Sequence, residues 1–262
     1  MFLILLLCVC DALTFTDKPY KHFVPNLKLK PPTRKKHQTI LSSYQLPLNF
    51  DWRDFNVVTP VKNQGNCGSC YTFAAAGVLE YWASKRAGSL ISISEQQLLS
   101  CNNTDGCDGG WVESIFAYAA RHNISSEKEQ PYQAIDNTSC VEPKHTLVHP
   151  TFYGTLTSEQ DEQSETRIPY MLHQFGPVAV AIDVGTTDLL QAYEGGILPA
   201  IACGNDPDHA VLVVGYNTEN DIDYWIVKNS WGTDWGDNGY FYLERGTNAC
   251  GVAEYISYVS HG

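Results

Sequence analysis

Apolar positions along the chain change their period near its middle. Phe73, Ala74, Ala75, Ala76, Val78 and Leu79 form an almost unbroken apolar run, and its alanine content suits a buried helix starting at Ser69 or Cys70. The segment Ser94-Glu95-Gln96-Gln97-Leu98-Leu99-Ser100-Cys101 has a serine cap and an acidic first turn, which predicts a second helix. Between Trp111 and Arg121, residues Ile115, Phe116, Tyr118 and Ala119 fall at helical spacing. Beyond Gly176-Pro177 the runs become short, β-branched and aromatic: Val178–Asp183, Ala210–Tyr216, Tyr224–Asn229 and Gly239–Glu244. Turn residues separate them, which predicts an antiparallel sheet. The switch falls in residues 150–175. Helices followed by strands predict an α+β fold of two lobes. Residues 13–45 have no clean period, and Pro19, Pro25, Pro31 and Pro32 forbid a long helix there. Leu46–Arg53 reads as an extended lead-in to a domain over 46–262, with a helical lobe over about 46–155 and a strand lobe over about 156–262.

Composition narrows the class. With 44% apolar and 18% charged residues, the 262-residue chain reads as globular. Phe2 to Val9 is too short an apolar run to span a membrane, and small residues at Cys10 and Ala12 suit cleavage after Ala12. Residues 1–12 are therefore expected to be a secretory signal, and no stable membrane insertion is expected. Residues 13–45 carry Lys18, Lys21, Lys28, Lys30, Arg34, Lys35 and Lys36 against Asp17, a short basic segment that could cover an acidic domain. Residues 47–262 hold 10 basic against 27 acidic residues, and a domain that acidic repels nucleic acid, which is excluded as a partner.

Nine cysteines are present. Removing Cys8 and Cys10 with the signal leaves Cys67, Cys70, Cys101, Cys107, Cys140, Cys203 and Cys250. An odd number in a secreted chain predicts three bridges and one thiol left over. Asn-x-Ser/Thr sites at Asn102, Asn123 and Asn137 fit the same oxidising, glycosylating route and suggest one exposed face. A zinc site on Cys67, Cys70, Cys101 and Cys107 is disfavoured by that compartment and by the five residues between the last two. No metal or cofactor is expected.

The candidate nucleophile sits in Gln64-Gly65-Asn66-Cys67-Gly68-Ser69-Cys70-Tyr71. A thiol at the start of a helix meets the positive end of the helix dipole, so a lowered Cys70 pKa is expected. His209 follows Cys70 by 139 residues and opens a strand, and Asn229 ends the next strand in Asn229-Ser230-Trp231-Gly232. Asp51-Trp52-Arg53, Gln64 to Cys70, Gly106-Cys107-Asp108-Gly109-Gly110, Asp208-His209-Ala210 and Lys228 to Gly232 with Trp235-Gly236 occur in that order. From Leu46 onward the chain resembles the papain-like cysteine proteases of the cathepsin L type.

The resemblance implies a two-lobed fold with a helical left lobe, a β-barrel-like right lobe and a peptide-binding cleft between them. It implies a cysteine endopeptidase in which Cys70 attacks, His209 holds the thiolate and protonates the leaving amine, and Asn229 orients the imidazole. Trp231 would shield that bond, and Gln64 would donate to the oxyanion, a contribution of about 3–4 kcal/mol to the barrier. It pairs Cys67 with Cys107, Cys101 with Cys140 and Cys203 with Cys250; composition alone allows fifteen pairings. By position, Gly109 and Gly110 would offer backbone contacts, with Asp208 and Trp231 nearby. Trp111, Val112, Ala181, Pro207, Ala210 and Tyr255 would line the pocket for the second residue before the cut, so an apolar preference is expected there. Partners are peptide and protein substrates and cystatin-like inhibitors, the chain acting as a monomer in a secreted or lysosomal/endosomal setting. Tyr71 stands where the family usually has Trp. Residues 13–45 are shorter than a cathepsin L pro-segment and lack its helical pattern.

Overall fold

The computed structural model describes residues 46–102, 106–136, 138–158, 163–185, 188–204 and 206–260. The expected signal, the basic segment and Asn137 lie outside them. The elements run β1 (Phe50–Asp51), α1 (Cys70–Ala87), α2 (Glu95–Cys101), α3 (Val112–Ala119), β2 (Phe152–Thr157), α4 (Ser164–Phe175), β3 (Val178–Ile182), β4 (Ile197–Leu198), β5 (His209–Glu219), β6 (Ile222–Lys228), β7 (Tyr240–Glu244) and β8 (Tyr255–Ser260). α2 starts where its residues predict: Ser94 Oγ accepts the Gln97 N–H at 3.0 Å. α1 is buried along most of its length, packed against β3, β5, α2 and α3.

The eight strands form one sheet whose main path is β2-β8-β3-β5-β6-β7-β4, with β1 paired to β5. β4 and β7 run parallel, so the sheet is mixed, and the path does not close on itself. The expectation of a purely antiparallel, barrel-like lobe is corrected to that extent. β5 lies at the centre and is buried on both faces. Ala210, Leu212 and Val214 join the core shared with α1, and Val211 and Val213 join the core on the far side. Two-sided burial explains why that stretch reads as a continuous apolar run.

The sequence pattern did not reveal β1, β2, β4, β8 or α4. β1 is two residues long, and its Phe50–Tyr216 register carries the lead-in segment onto the sheet. α4 contains Pro169, which removes a helical N–H. It is held instead by Ile168, Met171 and Leu172 in the far-side core, and Glu165 in its first turn accepts from Trp225 Nε1 at 3.0 Å and from the backbone of Asn248 at 2.8 Å. Cys67–Cys107 and Cys101–Cys140 tie the helical half, and Cys203–Cys250 ties the strand half. Loops of 39 to 47 residues correspond to about 4 kcal/mol each in the chain-entropy account. No described helix is long and apolar enough to cross a membrane.

Candidate active site

α1 begins at Cys70, and β5 begins at His209. The two starts meet. The Cys70 sulfur is unbonded and buried, and the backbone N–H of Ala210 donates to it at 3.5 Å. His209 is 2% exposed. Its Nε2 lies 2.8 Å from Asn229 Oδ1, at the end of β6. The Ser230 N–H donates to the same Oδ1 at 2.8 Å. An atom receiving a backbone N–H is the amide oxygen, which only accepts, so Nε2 carries the ring proton and Nδ1 keeps its lone pair. The Trp231 ring lies 4.9 Å from the imidazole, tilted by 32°, and Trp235 meets Trp231 edge-on at 4.9 Å. Trp231 thus packs against the His209 ring, and Trp235 backs Trp231.

Gln64 is held from both halves of the molecule. Its Nε2 donates to the Cys67 carbonyl at 2.9 Å, and its Oε1 accepts from Ser230 Oγ at 2.6 Å. The side chain is thereby fixed beside the nucleophile.

Burial dominates the electrostatics. It pushes the Cys70 thiol up to about 11, against the N–H groups of Ala210 and Tyr71 that favour the thiolate. It pushes His209 down to about 4, with Asn229 pulling the other way. The expected lowering of the thiol pKa by the helix start is therefore corrected. Desolvation is the first cause for both groups and disfavours the charged form of each taken singly. Charge separation in such a site is favourable only when thiolate and imidazolium form together.

The profile of the papain family cysteine protease matches residues 46–260. The chain belongs to that papain family. A viral cathepsin of Spodoptera litura multicapsid nucleopolyhedrovirus is 44% identical over 213 residues, covering 80% of this chain and 60% of the relative. A cathepsin L-like peptidase of Aedes aegypti is 42% identical over 224 residues, covering 83% and 65%. The chain thus spans less than two thirds of both relatives' lengths. Digestive procathepsin L 3 of Tenebrio molitor superposes with a TM-score of 0.77 at 40% identity, covering 84% of this chain and 72% of that one. Bromelain of Ananas comosus, solved with the inhibitor E64, gives 0.75 at 33% identity, covering 83% and 100%.

Within this papain-family fold, Trp111, Val112, Ala181, Ala210 and Tyr255 line one pocket, together with Glu113, Ala179, Val180 and Ser257. Trp111 and Tyr255 meet edge-on at 5.5 Å. Pro207 does not line it. Gly109 and Gly110 follow the Cys107 bridge, and a Cβ on Gly110 would stand 2.7 Å from the Tyr71 ring. That ring is buried, and its hydroxyl donates to the Gly106 carbonyl at 3.2 Å. Asp208 lies apart from the pocket and accepts from the Val184 N–H at 2.9 Å.

Asn102 and Asn123 are half-buried rather than exposed. Their amide nitrogens donate to Ser114 Oγ at 2.8 Å and to the Pro143 carbonyl at 3.1 Å.

Behind the nucleophile is an ion cluster the sequence did not announce. Lys62 Nζ bridges Glu80 at 2.8 Å and Glu95 at 2.7 Å, and Lys228 donates to Thr59 Oγ1 at 3.0 Å, which in turn donates to Glu80. Burial would raise Glu80, but Lys62 and Lys228 hold it below its usual value. Glu95 is pushed up to about 8 by burial, with Lys62 opposing and Glu80 adding to the rise. Sequence reasoning also missed Glu113, Ser257 and the bridging role of Ser230. Only Ser230 had a local signal, its place next to Asn229.

Proposed function

We propose that the chain is a cysteine endopeptidase. Cys70 gives its proton to His209 Nδ1 as its sulfur bonds the scissile carbonyl carbon. The negative oxygen that forms takes hydrogen bonds from the Cys70 backbone N–H and from Gln64 Nε2. The C–N bond then breaks, and the amine leaves with the proton from His209. Water, deprotonated by His209, resolves the acyl-enzyme and restores the thiol. Asn229 holds the ring in the tautomer this needs, and Trp231 keeps water from their bond.

The observation that carries the reading is a single contact. The one described cysteine outside a disulfide has its sulfur 3.5 Å from the nitrogen of the residue after His209.

The apolar walls of the Trp111–Tyr255 pocket favour an apolar side chain at the second position before the cut. Peptides, proteins and cystatin-like inhibitors would occupy the same cleft, and the protein would act as a monomer. Three disulfides fit a secreted or lysosomal setting. The division into a helical lobe over about 46–155 and a strand lobe over about 156–262 belongs to this reading.

The test is hydrolysis of a peptide library at mildly acid pH with a reductant. The parent should cleave after apolar second positions and be blocked by E64. Cys70→Ala should fold and lose nearly all turnover. Parent-rate cleavage by that variant would overturn the assignment, and preference for Arg or Glu over Val and Leu would overturn the pocket reading.

A further inference from the structure

Tyr132 stands on a loop after Pro131, 62 residues beyond Cys70, and nothing in its local sequence marks it. Its hydroxyl reaches both flanks of the nucleophile. It donates to the backbone carbonyl of Gln64 at 2.9 Å, and it lies 2.5 Å from Ser69 Oγ. The carbonyl can only accept, so the tyrosine proton is committed to Gln64 and Ser69 must donate to the tyrosine. The result is a directed chain from Ser69 through Tyr132 to Gln64, in which each bond polarises the next.

The ring that carries this hydroxyl is itself fixed. It meets the Phe73 ring of α1 edge-on at 4.8 Å, and the Tyr132 N–H donates to Glu127 Oε1 at 2.8 Å. Burial pushes the phenol up to about 12, so it stays a donor across the working pH range.

The two anchored groups are the two sides of the oxyanion pocket. Ser69 stands at the first position before α1, its hydroxyl turned to Tyr132 rather than capping the helix, and the Cys70 backbone N–H that follows is one donor. Gln64 supplies the other through its side chain. The Gln64 backbone is also tied to the sheet half, its N–H donating to the Ser230 carbonyl at 2.8 Å. Without the tyrosine hydroxyl, the Gln64 carbonyl loses its link to the helical half, and the two donors are no longer spaced by a common atom.

We propose that Tyr132 is a positioning residue that sets the distance between the Gln64 amide and the first turn of α1, and so shapes the oxyanion pocket. This rests on the endopeptidase reading above.

The test is Tyr132→Phe, which keeps the ring and removes the hydroxyl. Three measurements separate the cases. Alkylation of Cys70 by iodoacetamide builds no oxyanion and should stay within about twofold of the parent. Hydrolysis of a peptide amide should fall about tenfold in kcat with KM little changed, as for one lost hydrogen bond expressed in the transition state. Inhibition by a peptide aldehyde, whose adduct places an oxygen in the pocket, should weaken about tenfold. Ser69→Ala should shift the same two quantities in the same direction by less, since the Tyr132–Gln64 bond survives.

Unchanged hydrolysis and aldehyde affinity in Tyr132→Phe would overturn the proposal. A parallel loss of alkylation would also overturn it, because the hydroxyl would then be supporting the fold at large. A parent protein that alkylates but hydrolyses nothing would instead overturn the endopeptidase reading.

Discussion

Gln64 and Ser230 are joined twice: the Gln64 N–H donates to the Ser230 carbonyl at 2.8 Å, and Ser230 Oγ donates to Gln64 Oε1 at 2.6 Å. One residue precedes α1 and the other follows β6, so the pair bolts the helical half to the sheet half beside the nucleophile. Gln64→Ala should lower kcat by about 10²–10³, the usual loss for one oxyanion donor. Ser230→Ala frees the side chain without removing it and should cost about tenfold. Steady-state kinetics on one peptide amide decide this, and equal activity in all three proteins would refute the placement of Gln64.

Asn229 Oδ1 is the acceptor that keeps the proton on His209 Nε2. Asn229→Ala leaves a buried ring N–H without that partner and lets the imidazole turn. We expect kcat to fall about 10²-fold or more while KM changes little, since no substrate contact is lost. A loss confined to KM would count against the orienting role.

Glu95 provides a pH test. Its carboxyl is raised in the fold from an ordinary 4.5 to about 8, first by burial. A group raised on folding binds its proton more tightly in the native state. Its contribution is fully present below about pH 4.5 and is lost as pH rises toward 8. Glu95→Gln mimics the protonated form and cannot titrate. The two proteins should therefore have similar Tm values at acid pH, and the variant should become relatively more stable as pH rises through that window. A gap that narrows or stays flat across a pH series of thermal melts would show that folding does not raise the Glu95 carboxyl.

Gly68 is a packing test. A Cβ there would stand 2.5 Å from the Cys107 carbonyl oxygen, a backbone atom that cannot step aside. The Gly68 N–H donates to that same carbonyl at 2.8 Å. Gly68→Ala should destabilise the protein by about 1–3 kcal/mol, as overpacking usually does. Denaturant unfolding measures it, and a parent-like midpoint would mean that the backbone at the Cys67–Cys107 crossing can yield to the added methyl.

Short-range pattern carried a large part of this protein. The alanine-rich run after Cys70, the Ser94 cap and the β-branched runs of β3 and β5–β7 each express a local preference, and each formed close to its expected bounds. The ordered blocks from Asp51 to Gly236 marked the family. α4 escaped because Pro169 interrupts its pattern, and β8 because only Ile256 and Val259 in Tyr255–Ser260 are aliphatic and they do not alternate strictly. Both are held by tertiary packing: Ile168, Met171 and Leu172 of α4 and Ile256 of β8 enter the far-side core, and Val259 of β8 enters the core shared with α1.

The chain by itself marked Cys70, His209, Asn229 and Gln64 as the candidates for chemistry, by type and spacing. Tertiary structure alone decided their condition. Burial is a property of the assembled lobes, and it reversed the pKa direction that the helix start suggests for Cys70. The neighbours brought in from distant segments, Ser230 on Gln64, Tyr132 across Ser69, and Glu95 under Lys62, have no sequence period to betray them. Their contacts arise only when the sheet closes over α1 and water leaves the space between.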